Sequence, residues 1–151
     1  MITLLAALAA VAAVAQSRGC VYIENLELVP DSTVTVPVML ACLEPTQGLQ
    51  FKLSLPDGLI LEEMELTKRS RRLDMNLAKK HKGDTWNVAV YTMSMASFPP
   101  DTTAVIHATL RALPQFQGGE IHIWKCQGCS QDFTTINYDD SYTTVMRAAL
   151  P

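Results

Sequence analysis

The sequence predicts an all-β domain built as a sandwich or a barrel. Apolar and polar residues alternate in several short segments, and a period of two places successive side chains on opposite faces of a strand. Glycine, proline and aspartate residues, which favour tight turns, separate these segments at short intervals. Short strands that are evenly separated by turns are typical of two-layered or closed sheets.

The clearest predicted strand is Leu49–Leu55. Its odd-numbered residues are all apolar and its even-numbered residues are all polar, so we expect the odd-numbered side chains to face the core. In Thr33–Leu40, Pro37 lacks a backbone donor, which indicates an edge position or a bulge. In chain order, the predicted strands are Cys20–Val29, Thr33–Leu40, Leu49–Leu55, Leu59–Leu66, Trp86–Met93, Ala104–Leu110 and Glu120–Lys125.

One stretch has helical spacing. Leu73 and Leu77 lie four residues apart within Ser70–Lys82, and this spacing places both side chains on one face of a helix. We therefore predict a short helical segment near residues 70–82, with one or two turns lying over a sheet edge.

The first fifteen residues form an apolar stretch that ends in small residues. Ala13-Val14-Ala15 followed by Gln16 matches the cleavage site of a secretory signal peptide. The run is also shorter than the roughly 20 residues of a membrane-spanning helix. We therefore predict a signal peptide at residues 1–15, with an uncleaved membrane anchor as the alternative, and a single domain over residues 16–151. The protein is then expected to be secreted or on the cell surface, and to touch a membrane only through the signal peptide or surface tethering.

Four cysteines suggest disulfide chemistry. In an exported protein an even number of cysteines favours disulfides, and Cys20, Cys42, Cys126 and Cys129 allow three pairings. The Cys-x-x-Cys spacing of the last two also occurs in zinc and redox sites, but a structural zinc site usually needs a second close pair. Disulfides are therefore favoured over free thiols and over a metal site, and we expect no metal and no cofactor.

Catalytic signatures are missing from the sequence. It has no Gly-x-Ser-x-Gly elbow, no His-Glu-x-x-His motif, no phosphate-binding glycine loop and no aspartate-rich calcium loop. The three histidines, His81, His107 and His122, are scattered, and Asp139-Asp140 fits a solvated loop. We therefore expect a protein that is not an enzyme.

Aromatic residues near the end of the chain are candidates for ligand binding. If Ile121 and Ile123 face the core, His122 and Trp124 point outward, where an aromatic ring can contact a ligand. Tyr138 and Tyr142 are further aromatic candidates for stacking on a sugar ring.

The densest charge lies between residues 68 and 82, which contain seven of the twelve lysines and arginines. Arg69, Arg71 and Arg72 are the candidate binding residues there, and a focused basic patch suits a sulfated glycan, a phosphate-rich surface or an acidic partner. The alternative is a solvated connection whose charges prevent a sheet edge from pairing. No aromatic residues interleave with these charges and the net charge is −3, so we expect no nucleic-acid partner.

Three motifs in order resemble a known family. The first is Val34-Thr35-Val36-Pro37-Val38, the second is the alternating strand from Gly48 that ends in Leu55-Pro56-Asp57-Gly58-Leu59, and the third is the strand from Trp86 to Tyr91-Thr92-Met93-Ser94. Their order and spacing resemble the cohesin-like domains of exported bacterial proteins, especially those of gut Bacteroidales. The resemblance extends from about Leu28 to Leu113.

The resemblance implies a jelly-roll β-sandwich of about nine strands without catalytic activity. One sheet face of such a domain docks a protein partner, dockerin-like or other. In carbohydrate-binding relatives the face holds a polysaccharide, so a carbohydrate-binding module is the alternative. A second alternative is a structural subunit of a pilus or matrix, which would join its neighbours through an unpaired edge strand. Exposed aromatic rings grouped on one face would favour the polysaccharide, and a flat aliphatic face would favour the protein.

Overall fold

Two β-sheets packed face to face form residues 19–149, the part of the chain that the computed structural model describes. The predicted all-β sandwich is therefore confirmed. The predicted signal peptide lies outside the described residues. No helix among residues 19–149 has the length and apolar character needed to cross a bilayer.

The described chain contains eleven strands and one short helix. The four-stranded sheet has the order β1-β3-β8-β5, and the seven-stranded sheet has the order β2-β11-β9-β4-β7-β6, with β10 pairing to β9. In chain order the elements are β1 (Gly19–Tyr22), β2 (Leu26–Leu28), β3 (Thr33–Cys42), β4 (Thr46–Ser54), β5 (Leu59–Leu66), α1 (Lys68–Arg72), β6 (Met75–Lys82), β7 (Thr85–Thr92), β8 (Thr102–Ala112), β9 (Gly119–Ser130), β10 (Thr135–Asn137) and β11 (Ser141–Arg147).

The predicted strand Cys20–Val29 is divided between the two sheets. Its first half, β1, pairs with β3, whereas its second half, β2, pairs in parallel with β11. Thr143 Oγ1 donates to Ile23 O at 2.6 Å, and Thr144 N donates to Asn25 Oδ1 at 2.9 Å, so the crossing segment is tied to β11. Alternation indicates which face a residue takes but not which sheet it joins, so the division was not predictable from the pattern.

The predicted helix near residues 70–82 is mostly a strand. α1 begins earlier, after Thr67, whose side chain accepts a hydrogen bond from Ser70 N as an N-cap does. Asp74 then has a positive φ of 62°, which ends the helical turn. Residues 75–82 form β6, in which Leu77 packs against the core beside Met75. The side chains of residues 75–82 therefore alternate with the period of two of a strand. The four-residue spacing of Leu73 and Leu77 had suggested a helix instead.

The core lies between the sheets. Leu49, Phe51 and Leu53 are buried as predicted, and Ile121 and Ile123 are fully buried in β9. For Pro37 the sequence indicated an edge position or a bulge, and a bulge follows directly after Val38, where the pairing of β3 with β8 shifts register. Two phenylalanines from connecting segments, Phe98 and Phe116, are the largest fully buried side chains, and alternation predicted neither.

The four cysteines are free thiols, which differs from the disulfide chemistry that the sequence favours. Cys126 and Cys129 lie three residues apart on β9, so their side chains point to opposite faces and cannot meet. Cys42 is buried and donates through Sγ to Pro99 O at 3.3 Å. Cys20, on β1 of the other sheet, lies close enough to Cys126 for their charges to interact, and the two thiols are not bonded to each other. Among residues 19–149, no three His, Cys, Asp or Glu side chains are grouped to hold a metal ion.

Candidate docking face

The surface of β9, β4, β7 and β6 that points away from the four-stranded sheet is called the outer face below. Because odd-numbered residues of β4 are buried, its even-numbered residues point outward. The same alternation applies to β6 and β7, and to β9 on either side of a bulge at Lys125, where a φ of 51° leaves both Trp124 and Lys125 pointing outward. The outward side chains at the centre of the face are Gln50 and Lys52 from β4, Asn87 and Ala89 from β7, Ala78 and Lys80 from β6, and Trp124, Lys125 and Gln127 from β9.

Strand pairing arranges these residues in two adjacent rows across the sheet. In one row Gln50 lies between Gln127 and Ala89, and Ala89 is opposite Ala78. In the next row Lys52 lies between Trp124 and Asn87, and Asn87 is opposite Lys80. Residues far apart in sequence are therefore neighbours on one surface, since each row crosses the strands at right angles.

A shallow depression of about 730 Å³ occupies the middle of the outer face. Ala78 and Ala89 line it together with Lys52, Lys80 and Lys125. Because alanine side chains are short and lysine side chains are long, the floor is low and the margin carries the charge. A depression of this shape fits the surface of another macromolecule better than a small molecule, which usually needs a more enclosed cavity.

A row of side-chain amides crosses from β4 to β10. Gln50 Nε2 donates to Gln127 Oε1 at 3.0 Å, and Gln127 Nε2 donates to Asn137 Oδ1 at 3.4 Å. Each amide group offers two donors and an oxygen with two lone pairs, so these contacts use only part of its capacity. The remaining donors and acceptors point to solvent and are free to bind a partner.

Aromatic rings stack on one another at a corner of the same sheet. His122 stacks against Trp124, with ring centroids 4.7 Å apart, and against Tyr142 of β11, with centroids 4.3 Å apart. The rings are nearly parallel, at 16° and 8°. Tyr142 is 62% exposed, and His122 Nε2 lies 3.6 Å from Asp140 Oδ2. The structure thus brings together three of the predicted aromatic and histidine candidates.

Tyr138, the fourth of these candidates, lies in the core. It is 6% exposed, and its hydroxyl group is 2.6 Å from Thr46 Oγ1. Burial raises the pKa of Tyr138 to about 12, and the hydrogen bond with Thr46 opposes part of that rise. The ring therefore packs in the core beneath β10, and Tyr138 also belongs to the lining of the depression on the outer face.

The predicted basic cluster separates into two groups. Arg69 Nη2 bonds to Asp101 Oδ2 at 2.9 Å, and Arg71 Nη1 donates to Leu66 O at 2.9 Å, so two of the three candidate arginines hold α1 in place. Arg72 is exposed on the same helix, which connects the two sheets. Only the second group, on β6, contributes to the outer face, because β6 belongs to the seven-stranded sheet.

The amides and alanines of the outer face were not predicted from the sequence pattern. The sequence did indicate that the even-numbered residues of β4 point outward, and this was the one feature of the pattern that pointed to the outer face. It did not identify a site, because the pattern says nothing about which residues of β6, β7 and β9 lie beside them.

Sequence comparison finds no protein-family model and no curated protein that matches the chain significantly. Solved structures do share its architecture. The cohesin of a type I cohesin–dockerin complex from Clostridium thermocellum superposes with a TM-score of 0.71 at 11% identity, covering 87% of this chain and 100% of that chain. A cohesin module from a Clostridium perfringens family 33 glycoside hydrolase also gives 0.71 at 11% identity, covering 87% and 99%.

A non-cellulosomal cohesin from the hyperthermophilic archaeon Archaeoglobus fulgidus gives a TM-score of 0.67 at 11% identity, covering 86% of this chain and 92% of that chain. Sequence identities this low establish the fold and leave binding residues unassigned. The link to Bacteroidales stays a prediction. The described part of the chain is a cohesin-like β-sandwich.

Proposed function

We propose that the chain is a non-catalytic binding module that recognises a protein partner, dockerin-like or other, through the outer face. The observation that carries this proposal is the shallow depression, with unused amide and ammonium groups around a floor of alanines. Crystal structures of cohesins with this fold include complexes with dockerins. A broad surface with an apolar centre and a polar margin has the general composition of a protein interface.

The opposite surface, on the four-stranded sheet, is a weaker candidate. Its polar side chains pair with one another: Thr35 Oγ1 is 3.0 Å from Thr109 Oγ1, and Arg111 reaches Asp31 at 3.4 Å and Glu62 at 3.9 Å. A partner would have to break these contacts before forming its own. A partner that binds the lysines around the depression on the outer face does not have to break such contacts first.

A polysaccharide is the second candidate ligand, and the stack of Trp124, His122 and Tyr142 is the observation that favours it. Exposed aromatic rings bind sugars through their faces. Here the faces are partly covered, because the rings stack on one another at 4.3–4.7 Å. The stack therefore offers less surface to a sugar ring than rings lying flat on the sheet, and we favour the protein partner.

Assembly through edge strands is the least supported alternative. β6 is an edge of the seven-stranded sheet and carries Lys79, Lys80 and Lys82, and charged residues on an edge discourage strand addition. The opposite edge, β2, has only three residues. β5, at an edge of the four-stranded sheet, carries three glutamates. Edges that are short or charged are poor templates for a pilus or matrix.

Two matched arginine variants test the docking proposal. Ala89→Arg places a long side chain in the floor of the depression, whereas Thr35→Arg adds the same side chain to the exposed surface of the four-stranded sheet. The full chain and both variants are titrated by surface plasmon resonance against dockerin modules of the source organism, and by affinity electrophoresis against insoluble and sulfated polysaccharides. We expect a dockerin that binds the wild type and Thr35→Arg but not Ala89→Arg. Retention on a polysaccharide with no bound protein would replace the proposal with the carbohydrate-binding module.

Export is a separate part of the proposal and rests on the sequence of residues 1–15. The amino-terminal sequence of the native protein, determined from culture medium and from the cell envelope, tests it. A mature protein that begins at Gln16 supports signal-peptide cleavage, and a protein that keeps residues 1–15 indicates a membrane anchor.

A further inference from the structure

The outer face has a charge opposite to that of the whole chain. Its strands β4, β6, β7 and β9 contain five lysines and one carboxylate, Glu120, although the net charge of the chain is −3. The strands of the four-stranded sheet contain three glutamates, all in β5, and one arginine, Arg111. Among the strand residues, positive charge is therefore concentrated in β4, β6 and β9 and negative charge in β5.

Three of the five lysines surround the depression without protein partners. Lys52, Lys80 and Lys125 line it, and in residues 19–149 none of them makes a hydrogen bond or an ion pair through its side chain. Lys79 differs, because its Nζ donates to Met64 O at 2.9 Å. Lys82 lies at the end of β6, farther from the depression. Unpaired ammonium groups around an apolar floor attract carboxylates.

Nearby carboxylates do not neutralise these lysines. Glu120 is at the start of β9, Asp140 faces His122, and Asp84 is in the turn between β6 and β7. None of the three lines the depression. The positive charge at its margin is therefore available to a partner, and it is least screened once the partner excludes water.

The spacing of the lysines suggests the form of the partner. Lys52 and Lys80 flank Asn87 in one row, two strand spacings apart, which is about 10 Å. Carboxylates seven residues apart on an α-helix are separated by about 10 Å along its axis and lie on nearly the same face. The adjacent row contains Ala78 and Ala89, whose short side chains leave room for a helix backbone.

We infer that the partner segment is an acidic α-helix that lies across the strands, with carboxylates two turns apart bound to Lys52 and Lys80 and its small or apolar residues over Ala78 and Ala89. This inference rests on the proposed function and adds the charge and shape of the partner. Lys125 extends the positive margin on the side of β9.

The probe is a displayed library of helical peptides about 20 residues long, with exposed positions randomised among Glu, Lys, Gln, Leu and Ala. It is selected against the full chain, and enriched peptides are measured against purified variants. Lys52→Glu/Lys80→Glu reverses two charges on the outer face. Lys68→Glu/Arg72→Glu reverses two charges on α1, where neither side chain has a bonding partner among the described residues, and is the matched control.

We expect enriched peptides to carry glutamates two turns apart and to lose at least about tenfold in affinity for Lys52→Glu/Lys80→Glu, but not for the control. Affinity should fall with added salt, and changing the two glutamates to lysine should restore binding to the outer-face variant. Neutral or basic binders that are blocked by Ala89→Arg would overturn the acidic helix and leave the proposed function standing. Binders that ignore Ala89→Arg, or a library that yields none, would overturn the acidic helix, whereas the proposed function fails only if no dockerin module distinguishes Ala89→Arg from Thr35→Arg.

Discussion

Replacing Gly128 by alanine should destabilise the protein strongly, because a buried ring occupies the space of the new methyl group. A Cβ atom at Gly128 would lie 2.6 Å from Tyr138 Cε2 and 2.9 Å from its hydroxyl oxygen. Carbon atoms in contact normally stay about 3.5–4.0 Å apart, so the ring has to move by about 1 Å. The ring is 6% exposed and its hydroxyl group is bonded to Thr46, so that movement disturbs the core.

The expected loss in the free energy of unfolding is about 2–4 kcal/mol. Overpacking of a filled core costs about 1–3 kcal/mol, and weakening the buried bond between Tyr138 and Thr46 adds about 1 kcal/mol. Since small domains have about 5–15 kcal/mol of stability in total, the variant should remain folded at low temperature with a clearly lower midpoint. Urea denaturation, followed by tryptophan fluorescence and circular dichroism, measures the difference.

Two further variants separate the clash from other effects of the substitution. In a Tyr138→Val background the ring is absent, so Gly128→Ala should cost less than about 1 kcal/mol there. Gly83→Ala meets no atom within 4 Å, and only its left-handed φ of 61° is unfavourable, at about 1 kcal/mol. An equal cost for Gly128→Ala with and without the Tyr138 ring would refute the clash as the cause.

Three other predictions follow from buried groups. Because the pKa of Tyr138 is raised to about 12, the unfolded chain loses this tyrosine proton first. The contribution of Tyr138 to stability should therefore be constant below about pH 10 and fall by about 2 kcal/mol towards pH 12, in addition to the alkaline loss that the raised pKa of Cys126 causes. In urea titrations across this range, Tyr138→Phe should lack this part of the fall and keep the rest. Phe98→Ala should cost about 3–5 kcal/mol in thermal or urea unfolding, since the ring is fully buried, and a cost below about 1 kcal/mol would contradict that packing. Burial raises the pKa of Cys126 to about 12, so this thiol forms little of the reactive thiolate at pH 8. Iodoacetamide at pH 8 should therefore label the half-buried Cys129 well before Cys126, as measured by peptide mass spectrometry. Equal labelling rates would contradict this.

Sequence alternation predicted the strands that contribute most of the core. In β4 and in β9 as far as Trp124 it identified both the buried and the outward residues, because side-chain direction along a strand depends only on local backbone geometry. It did not identify the bulge at Lys125, after which the even-numbered residues of β9 are the buried ones. It was misleading at residues 70–82, where Leu73 and Leu77, four residues apart, suggested a helix although residues 75–82 form β6. Two residues are too few to separate a period of 3.6 from a period of two, and pairing with β7 decides the outcome.

The alternation of apolar and polar residues did not predict which residues between the strands are buried. Phe98 lies in the segment between β7 and β8, where Thr46 pairs with it through two backbone hydrogen bonds of 2.8 and 3.0 Å. Tyr138 was a surface candidate in the sequence, yet it packs beneath β10 next to Gly128. In both cases the partner lies 10 or more residues away, so no local period signals the contact.

The sequence by itself determined that this chain forms short strands with one apolar and one polar side, and its motifs indicated the cohesin-like fold. Only the tertiary structure decided what the polar sides form together. Lys52, Lys80 and Asn87 become one row because β4 and β6 both pair with β7, and Ala78 and Ala89 become the floor of a depression for the same reason. Side-chain direction is a local property of a strand, whereas the neighbours of a strand are set by pairing between distant segments, and that pairing creates the site.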